Sequence, residues 1–300
     1  MQRKGILYAL GAYVIWGLFP IYWSQLENIP ALQLIGHRIS WSFLLLFLFL
    51  IVTRQLPAFG ASLGRKTIAI YLGAALLISV NWFTYVWAVT HGFVIEASLG
   101  YFINPLFSVF LGMLVFRERL RPLQWVCIAL ASLGVLYLAL TYGSLPWIAL
   151  VLAATFGLYG LVKKAAPLGS LFGLTLETGL LVVPAIVYLV ASETSGSGSF
   201  LHTTPLRIGL MVGAGLVTIV PLLLFAAAAP RVPLSTIGLL QYVNPSMQLL
   251  LGVVVYREPF THERLVGFGL VWLSLALFWM DGLFARRLGG GTPLPELGEG

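Results

Sequence analysis

The chain has 300 residues, 59% of them hydrophobic and only 9% charged, with a formal net charge of +7. A water-soluble domain carries roughly 25% charged residues, so this chain lacks the polar surface to cover itself in water and must face lipid. The positive charge is no nucleic-acid footprint, because the basic residues sit in short gaps between apolar runs, which is the pattern of membrane topology.

A helix needs about 20 apolar residues to cross the bilayer core. About ten runs of that size follow one another, at roughly 5–24, 31–52, 67–89, 95–116, 122–141, 146–162, 170–191, 207–229, 234–256 and 264–283. The first follows Arg3-Lys4. It is too long for the apolar stretch of a signal peptide and ends in no small-x-small cleavage pattern, so a first spanning helix is expected. Breaks fall at turn punctuation such as Asn28-Ile29-Pro30, His91-Gly92, Arg121-Pro122 and Pro230-Arg231. The polar gap from Glu193 to Pro205 is rich in Ser, Gly and Thr and reads as a flexible loop. The Gly/Pro-rich tail from Leu288 reads as disordered. The single Cys127 lies inside an apolar run, which rules out an internal disulfide.

With the N-terminus in the cytoplasm, ten alternating spans put thirteen basic residues inside against three outside, with Arg38 left within a span. The positive-inside rule therefore supports ten spans with both termini cytoplasmic. The chain also repeats itself. Asn104-Pro105, Leu111-Gly112, Val115 and Arg117-Glu118 recur 140 positions later as Asn244-Pro245, Leu251-Gly252, Val255 and Arg257-Glu258. That offset carries span 1 onto span 6, and five spans per copy is odd, so the second copy is expected upside down. The expected fold is all-α transmembrane, ten helices in two inverted five-helix repeats, residues 1–142 and 143–285, with a cytoplasmic tail at 286–300. Inverted repeats of this kind build many secondary transporters, with the site near the midplane where the repeats meet.

Specific stretches now matter: Tyr8 to Gly17, His37-Arg38, Asn81-Trp82 with Tyr85 and Trp87, Ser98 to Pro105, and Pro233 through Gln241-Tyr242-Val243-Asn244-Pro245. On these the chain resembles the drug/metabolite transporter superfamily in its EamA branch, and more narrowly the RarD proteins, over nearly its whole length. The resemblance implies a ten-helix permease of two inverted EamA repeats, and it alone favours export. It does not give the solute.

An ionisable side chain inside a membrane is a functional candidate by default. Arg38 and His37 lie about seven residues into span 2, roughly 10 Å deep. Arg38 reads as a fixed positive charge in the outer half of a central cavity, meeting a carboxylate of substrate or of Glu177; a snorkelling or structurally paired Arg is the alternative. His37 is a candidate proton carrier or a packing residue. Glu177, the repeat mate of His37, should be protonated or paired with Arg38 or His37. It is either a titrating group or half of a static ion pair. Pro105 and Pro245 deprive the carbonyls of Tyr101 and Gln241 of their usual donors. Spans 4 and 9 are therefore expected to kink, with Asn104, Asn244, Tyr101, Gln241 and Gln248 facing the solute path, or else packing a neighbouring helix. Asn81 and Tyr85 share one face of span 3, and Tyr85 could stack a planar or cationic solute. Trp87 reads as part of an interfacial aromatic belt.

No Walker-type phosphate loop, metal-ligand cluster or Ser/His/Asp grouping is legible, and no cofactor is called for. The expectation is a multi-pass permease of the cell inner membrane, not an enzyme, carrying a small organic solute or drug by alternating access. Its partners would be that solute, membrane lipid and, as a coupling ion, protons. An integral membrane enzyme acting on a lipid or prenyl carrier is the rival; its acids, Glu96, Glu258 and Glu263, are scattered over outer loops.

Overall fold

A computed structural model describes residues 2–91, 93–142, 146–255, 257 and 262–287. The helices are α1 (Gln2–Gly17), α2 (Phe19–Trp23), α3 (Ala31–Val52), α4 (Leu56–Ala61), α5 (Arg65–Thr90), α6 (Val94–Phe116), α7 (Pro122–Tyr142), α8 (Trp147–Ala165), α9 (Ser170–Thr194), α10 (Pro205–Ala228), α11 (Leu234–Gln241), α12 (Val243–Val254) and α13 (His262–Arg287). The described residues contain no strand. Helix starts follow local chemistry. Pro122 and Pro205 open α7 and α10 at the position where a missing N–H costs nothing, and the Thr204 hydroxyl accepts the Arg207 N–H as an N-cap.

Eight helical segments among the described residues are long and apolar enough to cross a membrane. The expected run at 234–256 is divided between α11 and α12, and the run at 264–283 falls in α13, whose described apolar stretch is Leu265–Phe278. Large apolar side chains such as Leu7, Val52, Leu140, Val183 and Leu206 stay exposed, as a surface in contact with lipid requires.

The chain divides into two compact units, residues 1–118 with 144–259, and residues 119–143 with 260–300. In the first, α3 packs on α9 and α10, α5 on α8 and α9, α6 on α8 and α11, and α1 on α10, α11 and α12. Its core centres on rings from three helices. Tyr13 and Trp16 of α1, Phe156 and Tyr159 of α8 and Phe225 of α10 have centroids within about 6.4 Å of one another where they touch. In the second unit α7 packs on α13. A Cβ at Gly134 would lie 2.8 Å from the Gly267 carbonyl oxygen, and the Ser274 hydroxyl donates to the Cys127 carbonyl at 2.7 Å. These fix a close helix crossing.

The offset of 140 reappears in the helix boundaries. Starts at 65 and 205, 94 and 234, and 122 and 262 differ by it. Arg117 and Arg257, one offset apart, both adopt the left-handed backbone conformation, with φ of 51° and 54°.

Two expectations need correction. First, α6 runs unbroken through Pro105, whereas the helix around the second Asn-Pro does divide, at Tyr242. Pro245 leaves the Gln241 carbonyl without its i+4 donor, and the Tyr242 N–H turns to the Leu239 carbonyl at 3.3 Å. Second, the 193–205 segment is tied down. The Gln33 amide clamps it from α3, donating to the Ser197 carbonyl at 2.8 Å and accepting from Ser199 N–H at 2.9 Å, while Glu193 accepts from Phe200 N–H at 2.8 Å. Gly196, at φ +76°, supplies the left-handed turn that lets the segment fold back. The tail from Leu288 and the Glu258 turn lie outside the described residues.

Candidate functional site

The first unit encloses a narrow cavity between α3, α5, α8, α9 and α10, with room for about one water. Arg38, Ser42, Trp82, Tyr159, Glu177, Thr178 and Thr218 bring the polar and aromatic groups to its wall. Gly215 sets the close approach of α3 to α10: a Cβ there would fall 2.6 Å from the Trp41 Cβ. The Ser42 hydroxyl donates to the Gly215 carbonyl at 3.1 Å. Nearly one turn on, Thr218 accepts a hydrogen bond from Arg38 Nε at 3.0 Å. The guanidinium carbon lies 4.4 Å from the centre of the Trp82 ring and 5.1 Å from that of Trp23, so π faces cover the cation.

Glu177 lies on α9 at the same cavity, and its partner is neither Arg38 nor His37. Lys163 Nζ stands 2.7 Å from Oε1, and the Tyr159 hydroxyl donates to Oε2 at 3.0 Å. Both charged side chains are only 3% exposed. Gly173, one turn before Glu177, lets the Tyr71 ring in, and Lys163 Nζ is 5.4 Å from that ring's centre. Lys163 was expected among the inner-side basic residues beyond span 6. The last turn of α8 carries it inward instead, on the face it shares with Tyr159 four positions earlier. That spacing was the available signal.

His37 is buried, stacked on Phe200 at 4.8 Å, with Nε2 unpaired. It lines a second pocket with Glu193 and Phe200, apart from the cavity of Arg38 and Glu177. The Asn81 amide donates to the Leu152 carbonyl at 2.9 Å and to Thr155 at 3.0 Å, and so ties α5 to α8. Tyr85 and Tyr101 meet edge to face at 5.9 Å. Trp87 joins His91, Phe93 and Trp147 in an aromatic cluster.

The first Asn-Pro lies at a close crossing of α6 with α11. A Cβ on Gly238 of α11 would be 2.6 Å from the Pro105 carbonyl oxygen of α6. The Tyr242 hydroxyl donates to the Phe102 carbonyl at 3.1 Å, a bond between residues one offset apart. Asn104 is buried with Oδ1 unpaired, Gln241 is buried, and Asn244 accepts from Gln248 at 2.9 Å.

Glu118 has a role that the sequence reading saw only as a repeat marker. After the left-handed turn at Arg117 its carboxylate folds back against Gly112, where a Cβ would meet Oε2 at 2.6 Å. It accepts Leu234 N–H at 2.6 Å, Ser235 N–H at 2.9 Å and the Ser235 hydroxyl at 2.6 Å, and thereby caps α11. Lys164 lies 3.7 Å away and donates to the Val232 carbonyl at 2.7 Å. In its first copy the Leu-Gly with Arg-Glu motif is therefore a turn that delivers an anion to another helix's N-terminus.

The EamA-like transporter family matches residues 3–140. An uncharacterized transporter of Bacillus subtilis, YojE, is 45% identical, with 92% of this chain and 93% of the relative covered. Protein RarD of Escherichia coli is 41% identical over 95% and 97%. A solved crystal structure 16% identical in sequence superposes with a TM-score of 0.69, covering 96% of this chain and all of the other, which is a likeness of fold.

Proposed function

This chain belongs to the EamA-like transporter family and within it stands with the RarD proteins; it is an integral membrane transporter and not an enzyme, and we propose that it moves a small organic solute outward across the cell inner membrane by alternating access. In this reading ten spans form two inverted repeats, 1–142 and 143–285, with both termini in the cytoplasm. The matched helix starts and the paired left-handed arginines support the repeat. The observation that carries the site is the cavity among five helices lined by Arg38 and by Glu177, which is itself paired with Lys163. Charges at such depth are retained where a polar solute or ion must be met. Tyr85, Tyr101, Asn104, Gln241, Asn244 and Gln248 belong to the pathway in this reading, which includes the crossing of α6 with α11. His37, in the second pocket beside Glu193, is the candidate proton carrier, with protons the candidate coupling ion.

The test has two parts. Purified protein in liposomes should move solute without altering it, and Arg38→Ala should stop that movement at unchanged membrane abundance. Cysteines introduced at Arg117 and Arg257 should be labelled from opposite sides of the membrane; labelling from one side removes the inverted-repeat reading.

A further inference from the structure

The two halves treat one pair of positions differently. Residues 23 and 163 are one repeat offset apart, and so are 37 and 177. In the second half the pair is Lys163 with Glu177, closed at 2.7 Å, and its charges cancel. In the first half the same two positions hold Trp23 and His37, and the charge lies one residue on, at Arg38, whose guanidinium meets the faces of the Trp23 and Trp82 rings. Among the described residues no carboxylate lies within salt-bridge distance of Arg38, and its only hydrogen bond is from Nε to Thr218. That bond uses one of the five N–H donors of the guanidinium and leaves both terminal nitrogens, the fork that binds carboxylates in bidentate fashion. A cation away from bulk water without a counter-ion is costly, and π faces return only part of that cost. The cavity thus holds one uncancelled positive charge beside an indole wall.

We infer that the transported solute is a monoanion, a carboxylate or a group of like shape, whose charged end forks onto the Arg38 guanidinium while a planar or apolar body lies against Trp82. This rests on the transport reading above and names its substrate class. Glu177 is excluded as the Arg38 counter-ion by its own closed pair, and no other carboxylate among the described residues takes that place, so the anion is assigned to the solute. An inside-negative membrane would then drive such a solute outward by itself, since the potential acts on its charge.

The test uses matched triples that share a body and differ in charge: benzoate, benzamide and benzylamine, and hexanoate, hexanamide and hexylamine. Binding to the full chain in detergent is read by thermal stabilisation, and flux is read in liposomes with and without an imposed potential. The expected result is stabilisation by the carboxylates at concentrations at least tenfold below those needed for the amides or amines. Carboxylate flux should be faster when the compartment it leaves is made negative. Arg38→Gln should abolish the preference, and Arg38→Lys, which keeps the charge but loses the fork, should retain part of it and shows that the cavity still folds. Equal or better binding of amides or amines, no stabilisation by any carboxylate, or an unchanged preference in Arg38→Gln overturns the inference. Flux of neutral or cationic members leaves the transporter reading standing and removes only the anion. Arg38-dependent carboxylate binding without flux of any member does the reverse.

Discussion

Removing one member of the Lys163–Glu177 pair should cost far more than removing both. Each side chain is 3% exposed, and the ammonium sits 2.7 Å from the carboxylate. Lys163→Met leaves Glu177 with a single donor, the Tyr159 hydroxyl, at 3.0 Å, and the buried carboxylate must then bind a proton or draw in water. Breaking a buried pair from one side costs about 3–5 kcal/mol, while replacing both partners by apolar residues of similar volume is close to neutral. For a chain of this size the single change should lower the thermal midpoint by on the order of 10 °C. Glu177→Leu strands Lys163 among the Tyr71 and Tyr159 rings and should cost a similar amount. The double variant Lys163→Met/Glu177→Leu should recover most of the loss, which additivity forbids. The assay is the fraction of monodisperse protein left after heating in detergent. If the two single losses add to that of the double, the pair is not the coupled buried unit described, and the neutral half of the cavity loses its basis.

Other changes should report on the fold around the site. Glu118→Ala removes the cap on α11 and should lower stability by about 1–2 kcal/mol, with faster hydrogen exchange at Leu234 and Ser235, the two N–H groups it receives; unchanged exchange there would deny the cap. Gly238→Val should strip folded protein from the membrane, because even a Cβ there meets the Pro105 carbonyl at 2.6 Å, whereas Gly209→Ala, with nothing within 4 Å, should be silent. Gln33→Ala frees the Ser197 carbonyl and the Ser199 N–H, so limited proteolysis should cut faster between Ser195 and Ser199, and an unaltered rate would mean that the clamp does not hold the segment.

Much of the architecture is legible in the residues because lipid imposes a strong constraint. Every backbone polar group must be satisfied inside its own helix, so apolar length reports helix position well, and starts at 31, 122, 170 and 234 fall where the runs begin. The 140-residue repeat was visible because Asn-Pro and Arg-Glu are rare in so apolar a chain. Local chemistry also foretold the divided helix at Tyr242, since a proline removes a donor wherever it stands. It did not foretell that α6 would stay whole at Pro105. That outcome depends on packing against α11, where Gly238 admits the Pro105 carbonyl and Tyr242 reaches the Phe102 carbonyl.

The site divides along the same line. Sequence alone determined that Arg38 and Glu177 are ionisable groups at membrane depth, because burial of charge is readable from its apolar surroundings. Only the tertiary structure decided their partners. Pairing is set by which helix faces converge, and here Lys163 turns inward from the end of α8 to take Glu177, while Trp23 and Trp82 close over Arg38. A chain read in one dimension shows which charges must find company, and the crossing of α3, α8, α9 and α10 determines which of them do.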